Sequence, residues 1–337
     1  MSNVKIENRT DVKLGVVPTH LKFVGALAPN EDGRLPRNAE GELEAVAGVR
    51  SLIEASPVKL DRVQLTTFAS AHEGDCDELI QGMQGLGLEP QIVMMVGGAN
   101  PMSAADEDAA CGQLLKNLDI ALRNGLSEVN STSIEAWMEC DAPKDEADYQ
   151  ARVAQVVKLH ARVFEEANLA NSCVRSWNIE FLRPGEFKTF TTLGRLNEVL
   201  SQLNLKVGQT FFRGLVDAAH MGDSGLSIPE NEAIMESVGT SDHLGVFHAS
   251  VPTTRGCLST DDGWVGAMLT AAAKTGKLTQ AYVEVFHHED AALEALRELD
   301  SGHGIDTRDG RSYEEVVVDS LVEVTRRLNN LKARGIL

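Results

Sequence analysis

Four apolar stretches of the chain each carry, near the carboxyl end, one side chain that could bind a metal ion. Ser176-Trp-Asn-Ile-Glu180 ends in a carboxylate, and three later stretches supply Asp217, His248 and Glu284. A carboxylate buried without a partner costs several kcal/mol or shifts its pKa. A divalent cation bound by all of these side chains would offset the free-energy cost of burying them.

The elements that must position these side chains alternate between strand and helix. Apolar runs predict strands near 13–18, 62–68, 90–96, 126–130, 176–182, 207–216, 243–249 and 281–286. Helical spacing predicts helices near 41–56, 74–86, 105–124, 146–170, 190–204, 228–239, 261–276, 288–299 and 312–334. Strands that are apolar on both faces are typical of a parallel sheet covered by helices. No glycine-rich dinucleotide fingerprint follows the first strand.

Eight such repeats fit a closed barrel better than an open sheet. We therefore predict an α/β protein with one (β/α)8 TIM barrel spanning residues 1–337. The carboxyl ends of all strands in such a barrel converge on one face. The four side chains would then surround a common point.

Three carboxylates and one imidazole suit Mn²⁺, Mg²⁺ or Co²⁺ better than a metal that prefers thiolates, and Zn²⁺ also accepts such ligands. We expect one divalent ion, with Mn²⁺ as the first choice. A lone glutamate or histidine would more often be a satisfied buried side chain. Four of them in register on successive strands favour a metal site.

The pattern resembles the xylose-isomerase-like barrel superfamily, and most of all its ketose 3-epimerases of the tagatose/psicose type. The resemblance implies that the four strand-end residues hold one divalent ion. The family's Asp-x-x-His in strand six is matched by Asp217-Ala-Ala-His220, its second glutamate by Glu186, and its arginine after strand seven by Arg255. These last positions imply substrate-binding roles for His220, Glu186 and Arg255. Alternatively, His220 orients Asp217, and Arg255 pairs with a surface carboxylate.

Two loops differ from the family pattern. Phe-Leu-Arg-Pro-Gly separates Glu180 from Glu186, and the interval from His248 to Arg255 is one residue longer and contains Pro252. Both loops contact substrate in the family, so the sequence leaves the identity of the substrate open.

The chemistry expected of such a site is enolisation of a keto- or aldo-sugar. A carboxylate removes a proton beside the carbonyl group, and the substrate passes through a cis-enediolate. If Glu180 and Glu284 lie on opposite faces of the reacting carbon, one removes the proton and the other returns it, which is epimerisation. Protonation at the adjacent carbon gives aldose–ketose isomerisation, and loss of a β-hydroxyl group gives dehydration.

Charge and composition limit the partners. With 31 basic and 50 acidic residues the net charge is −19, which opposes binding to nucleic acid or to a membrane surface. Five cysteines without a paired spacing are typical of reduced thiols in a cytoplasmic protein. We expect a cytoplasmic enzyme with a small carbohydrate substrate, and the resemblance implies a homodimer or homotetramer.

Three rival functions stay open. The first is a metal-dependent lyase or dehydratase acting on a keto-sugar or keto-inositol. The second is a zinc-dependent abasic-site endonuclease, which would need further histidine ligands and a basic face. The third is a non-catalytic binding barrel, which would be expected to lose one or more of the four strand-end ligands.

Overall fold

Eight parallel strands close into a barrel in the computed structural model, which describes residues 5–18, 26–252, 261, 263–305 and 310–337. The strands are β1 (Lys13–Val16), β2 (Arg62–Thr67), β3 (Glu89–Met94), β4 (Glu128–Ser131), β5 (Ser176–Glu180), β6 (Phe212–Asp217), β7 (Leu244–Ala249) and β8 (Gln280–Val283). Each strand pairs with the next, and β1 pairs with β8, so the sheet has no free edge. The predicted (β/α)8 barrel is confirmed.

Helices follow the strands in the predicted order. They are α1 (Glu44–Ala55), α2 (Glu73–Gly85), α3 (Glu107–Arg123), α4 (Glu146–Glu166), α5 (Leu193–Val207), α6 (Ala218–Gly222), α7 (Ile228–Thr240), α8 (Trp264–Lys274), α9 (Glu294–Leu299) and α10 (Tyr313–Ala333). No helix within the described ranges is long and apolar enough to cross a membrane.

Two predicted bounds are wrong. The start of β6 was predicted at 207, but α5 continues to Val207 and ends at Gly208, whose φ of 73° suits a left-handed helix cap. The single helix predicted near 288–299 is a 3-10 turn, Ala291–Leu293, followed by the short helix α9. In both places the apolar pattern identified an element but not its exact ends.

The core has two layers of different character. Apolar side chains such as Val63, Leu65 and Phe247 fill the space between the strands and the helices. Inside the barrel a much smaller apolar cluster contains Val17, Leu215, Val246 and Tyr282. The prediction that the strands are apolar on both faces therefore holds mainly for the outer face.

Buried polar side chains occupy the rest of the barrel interior. They include Gln64, Gln91, Asn130, Asn178 and Gln280, all almost fully buried. These side chains hydrogen-bond to one another across the strands, which offsets the cost of removing them from water. The interior of the barrel is therefore a connected polar layer with a small apolar cluster beside it.

Gly15 makes room for the largest residue of that interior cluster. A Cβ atom at this position would lie 2.3 Å from ring atoms of Tyr282, which is closer than real Cβ contacts. Because Gly15 of β1 has no side chain, the buried Tyr282 ring can lie inside the barrel.

A buried histidine joins α4 to the barrel wall. The Nδ1 atom of His160 donates to the Val156 carbonyl group at 2.8 Å, so Nε2 accepts from the Ser133 hydroxyl group at 2.9 Å. Ser131 lies next in this chain and accepts from the Trp177 indole N–H at 2.8 Å. Burial lowers the pKa of His160 from 6.5 to about 4, because an imidazolium here would lose its hydration.

We predict that His160 makes the protein sensitive to acid. The unfolded chain binds this proton near pH 6.5 and the folded chain only near pH 4, so the stabilisation is complete above pH 6.5 and is lost as pH falls toward 4. Between pH 7 and pH 4.5 the free energy of unfolding of the wild type should fall by about 2–3 kcal/mol more than that of His160→Gln. Urea denaturation at both pH values measures the difference, and parallel losses in the two proteins would contradict it.

Candidate metal centre and active site

The four strand-end residues of the sequence analysis lie at one end of the barrel. Glu180 is the last residue of β5, Asp217 the last of β6, His248 lies in β7, and Glu284 follows β8 directly. Asp217 and His248 are partners in the register of their strands. All four residues are buried, with exposed fractions of 8% or less. Barrel closure therefore brings together residues that are up to 104 positions apart in the sequence.

Their polar atoms form two groups that share Asp217. Atoms of Glu180, Asp217 and His220 lie within 4.8 Å of one another, and so do atoms of Asp217, His248 and Glu284. His248 Nδ1 lies 4.0 Å from Asp217 Oδ2 and 3.5 Å from Glu284 Oε2. Asp217 is therefore the residue through which one cation could contact both groups.

The imidazole of His248 tests whether a metal ion fits. Its Nε2 atom donates to Gln64 Oε1 at 2.7 Å, which leaves a lone pair on Nδ1. Nδ1 is buried, faces Asp217 and Glu284, and makes no hydrogen bond with any residue in the described part of the chain. A neutral imidazole nitrogen aimed between carboxylates is a suitable donor set for Mn²⁺ or a similar divalent ion.

His220 lies on a helix, not in a strand as the Asp-x-x-His motif was expected to. Asp217 caps the short helix α6, since its Oδ1 atom accepts from the backbone N–H groups of Ala219 and His220 at 2.5 and 3.2 Å. This local bonding turns the chain into a helix as soon as β6 ends. It also leaves Asp217 Oδ2 on the side of the histidines.

The hydrogen bonds of His220 define which ring nitrogen can donate into the site. Nδ1 accepts from the backbone N–H of Arg183 at 3.2 Å, so the neutral ring carries its proton on Nε2. Nε2 lies 3.2 Å from Glu180 Oε1 and 3.9 Å from Asp217 Oδ2. His220 therefore presents an N–H group beside two of the candidate ligands.

Glu186 is held in place by two further side chains, those of Arg183 and Trp137. Arg183 Nε donates to Glu186 Oε2 at 3.0 Å, and the indole of Trp137 donates to Oε1 at 3.2 Å. Arg183 also bonds Asp223 at 3.3 Å, and both members of the Arg183–Glu186 pair are buried. Arg183, in the Arg183-Pro-Gly loop, thus fixes the position of the Glu186 carboxylate.

A second buried carboxylate fixes the loop that follows. Glu135 accepts hydrogen bonds from the backbone N–H groups of Lys188, Thr189 and Phe190, at distances from 2.8 to 3.2 Å. Three such donors bind a carboxylate strongly because they carry partial positive charge. The chain on the carboxyl side of Glu186 is therefore tied to the segment that carries Trp137.

A cavity of about 360 Å³ opens onto these residues. Its polar part contains Glu180, His248, Glu284, His220 and Glu186. Its apolar lining includes Phe68, Met95, Leu182, Phe286, Leu293 and Leu296. Among the described lining residues there is no lysine or arginine. The cavity thus combines carboxylate and imidazole groups with uncharged apolar side chains.

The sequence-predicted residues have different outcomes. The structure brings six of them to this cavity or its edge: Glu180, Glu186, Asp217, His220, His248 and Glu284. Arg255 lies outside the described residues. Gln64 and Arg183 were missed; the signal for Gln64 was a polar residue at an inward position of an apolar strand.

Fold and site define a class of protein, the closed parallel (β/α)8 barrel with carboxylate and histidine side chains at the carboxyl ends of its strands. Several solved structures share this fold. A D-allulose 3-epimerase from Methylomonas sp. matches with a TM-score of 0.71 and 17% identity, over 96% of this chain and 99% of that one. An L-ribulose 3-epimerase matches with a TM-score of 0.71 and 14% identity, over 96% and 97%.

A D-psicose 3-epimerase from Clostridium cellulolyticum H10 matches with a TM-score of 0.64 and 14% identity, over 94% of this chain and 99% of that one. At these identities the likeness is one of fold, and at that level the resemblance to ketose 3-epimerases is confirmed. No protein-family model and no curated protein matches the chain.

We predict that Asp217→Asn separates metal binding from helix capping. Asparagine caps a helix about as well as aspartate, so the thermal midpoint should change little. Loss of the negative charge should weaken Mn²⁺ binding by about 100-fold or more, since even residues behind a metal ligand are worth about 10- to 100-fold. Isothermal titration of metal-free protein measures the affinity.

Asp223→Asn is the matched control, because Asp223 bonds Arg183 and is not one of the clustered residues. Its affinity for Mn²⁺ should stay within about threefold of the wild type, well below the tenfold that corresponds to about 1.4 kcal/mol. Equal affinities of the wild type and Asp217→Asn would refute the proposed metal site.

Proposed function

We propose that the protein is a divalent-metal-dependent sugar isomerase or epimerase that acts on a keto- or aldo-sugar through a cis-enediolate. The observation that carries this proposal is the convergence of three buried carboxylates and one imidazole on a cavity of sugar size. Fold neighbours named as D-allulose, L-ribulose and D-psicose 3-epimerases support the same reaction class.

Glu180, Asp217, His248 and Glu284 would hold the ion. We propose Mn²⁺, with Mg²⁺, Co²⁺ and Zn²⁺ as ions that the same donors accept. When bound, the ion supplies Lewis-acid stabilisation of the negative charge that develops on the substrate oxygens.

Glu180 and Glu284 are the proposed proton-transfer groups. They come from β5 and β8, two strands that are not neighbours in the barrel, so their carboxylates approach the cavity from different directions. One carboxylate would remove the proton beside the carbonyl group, and the other would return a proton to the opposite face of the same carbon. That sequence inverts one stereocentre.

The remaining side chains orient the sugar. His220 would donate its Nε2–H, which lies 3.2 Å from Glu180 Oε1, to a substrate oxygen that enters beside Glu180, because its other ring nitrogen already accepts from the backbone. Glu186 would accept from a hydroxyl group, since Arg183 and Trp137 hold its carboxylate in place. Arg255 is proposed on the resemblance alone, as a group that stabilises negative charge on the enediolate.

Incubation of keto- and aldo-sugars with the Mn²⁺-loaded protein in D₂O tests the reaction. We predict deuterium at C2 or C3 of the recovered sugar, because the removed proton exchanges with solvent. Glu180→Gln and Glu284→Gln should each lower the exchange rate by about 100- to 10,000-fold, the usual contribution of a general acid or base. Mass spectrometry and NMR of the product measure both position and rate.

Asp242→Asn serves as a control in which a carboxylate paired with Arg213 and Lys277 is changed. It should retain the exchange rate of the wild type. Absence of exchange with every sugar, or unchanged exchange in both glutamine variants, would overturn the proposal. A product lighter than the substrate by one water molecule would instead identify the dehydratase alternative, in which the β-hydroxyl group leaves from the enediolate.

We further infer that the sugar is not phosphorylated. A phosphate group needs cationic or backbone N–H partners, and the described lining residues include neither lysine nor arginine; Arg255, which lies outside the described residues, is assigned to the enediolate in this proposal. The guanidinium group of Arg183 is already engaged by Glu186 and Asp223. A net charge of −19 also opposes the approach of a dianion.

We predict that the kcat/KM for a free ketose exceeds that for its terminal phosphate by at least about tenfold, equivalent to about 1.4 kcal/mol. A ketose lacking the terminal hydroxyl group should be accepted nearly as well as the free ketose, because much of the cavity lining is apolar. Steady-state rates with the three matched substrates give the ratios. A preference for the phosphate would contradict the inference while leaving the metal chemistry standing.

A further inference from the structure

The polar layer inside the barrel connects the candidate metal ligand His248 to an ion pair at the other end of the strands. His248 Nε2 donates to Gln64 Oε1 at 2.7 Å. Gln64 Nε2 donates to Gln91 Oε1 at 3.1 Å, and Gln91 Nε2 donates to Glu128 Oε2 at 3.1 Å. Glu128 in turn accepts from Arg62 at 2.8 Å. Two amide groups thus link an imidazole to a carboxylate.

The orientation of each amide is fixed by partners that cannot reverse their role. An ionised carboxylate only accepts hydrogen bonds and a guanidinium group only donates them. Glu128 therefore requires the Nε2 atom of Gln91 on its side. The orientation of the Gln280 amide is also fixed, because its Oε1 accepts from Arg62 and its Nε2 donates to the Gly245 carbonyl group at 3.1 Å.

A second set of contacts fixes the other end of Gln91. Its Oε1 accepts from Asn130 Nδ2 at 3.1 Å as well as from Gln64, while Asn130 Nδ2 also donates to the Ile92 carbonyl group at 3.2 Å. Rotating the Gln91 amide by half a turn would place its oxygen against Glu128 and against Gln280 Oε1, which lies 2.8 Å from Nε2. That rotation replaces four hydrogen bonds by contacts between like groups in a buried layer.

The fixed orientation of Gln91 determines the next amide and then the imidazole. Because Gln91 presents an oxygen, Gln64 must present its Nε2 toward it and its Oε1 toward His248. An amide oxygen accepts, so the ring proton of His248 is required on Nε2. Nδ1 then keeps a lone pair on the side where Asp217 and Glu284 lie.

We propose that Gln64, Gln91 and Glu128 form an amide relay of positioning residues that fixes the tautomer of His248 with Nδ1 ready to bind the metal ion. The role of the metal ion rests on the proposed function. In the absence of a cation, the carboxylates of Asp217 and Glu284 would favour a proton on Nδ1. The relay opposes this effect, because it requires the proton on Nε2. A histidine held in the metal-binding tautomer does not have to move its proton before the ion enters.

The ring nitrogens of the metal-free wild type provide the first test. The protein is labelled with ¹⁵N-histidine, and the His248 signals are assigned by their loss in His248→Asn. The pH is then raised until these signals no longer shift, so that the ring is neutral. The relay requires a protonated Nε2 and an unprotonated Nδ1 in long-range ¹H–¹⁵N spectra. Protonated Nδ1 in the neutral ring would overturn it.

Gln91→Met removes the relay without touching the contact between Gln64 and His248. We expect a mixture of both His248 tautomers and a loss of Mn²⁺ affinity of about 10- to 100-fold. If this variant does not fold, Glu128→Gln is used instead, because glutamine has the same shape as glutamate. The amide at position 128 would present a donor to Gln91 and Gln280, which favours the reversed orientation of the Gln91 and Gln64 amides. His248 should then shift toward the Nδ1-protonated tautomer.

Asn204→Leu is the control for a general loss of stability. Asn204 is a buried amide of α5 that bonds the backbone of Phe211 and Phe212, away from the cavity. It should lower the melting temperature but leave the His248 tautomer and the Mn²⁺ affinity as in the wild type. A wild-type tautomer and affinity in both relay variants would overturn the relay.

The outcomes separate the two proposals. If wild-type protein binds no Mn²⁺ while His248 carries its proton on Nε2, the proposed function fails and the relay stands. If Mn²⁺ binds and His248 is protonated on Nδ1 in the metal-free ring, the relay fails and the proposed function stands.

Discussion

Repulsion among buried carboxylates is the constraint on which the rest of the site depends. Glu180 and Glu284 each have an oxygen within 4.8 Å of one on Asp217. At that distance two full charges repel by about 3 kcal/mol, with an effective dielectric constant of about 20. Closure of eight parallel strands forces this proximity, because it directs all carboxyl ends to one face. A divalent cation would turn the same geometry from a cost into an attraction.

The interior of the barrel meets this constraint with hydrogen bonds more than with apolar packing. Polar side chains such as Gln64, Gln91 and Gln280 bond one another in layers below the site. Apolar side chains in their place would pack well but would give His248 no defined partner. Removing these polar side chains from water costs free energy. Their hydrogen bonds define which nitrogen atom of the His248 imidazole carries the proton and which faces the carboxylates.

The sequence was sufficient for the order of the strands and for the side chains at their ends, because both follow from local patterns of apolar and charged residues. It was not sufficient for contacts made by closure. Gln64 and His248 are 184 positions apart, and Arg183 lies 120 positions from its neighbour His303. The local pattern of β2 marks Gln64 only as a polar residue at an inward position and does not reveal its partner. The helix α6 was missed because five residues give no helical periodicity, and only the capping role of Asp217 indicates it.

The cavity is lined by two kinds of side chain. Glu180 and His248 offer charged and hydrogen-bonding groups to a substrate, while Leu293 and Leu296 after β8 offer only apolar contact. Apolar contact discriminates weakly between similar sugars, whereas a buried polar group rejects a partner that cannot bond it. Glu186, held by Arg183, is such a group in the lining of the cavity. In the proposed reaction, selectivity among sugars should therefore depend more on this ion pair than on the residues that would hold the metal.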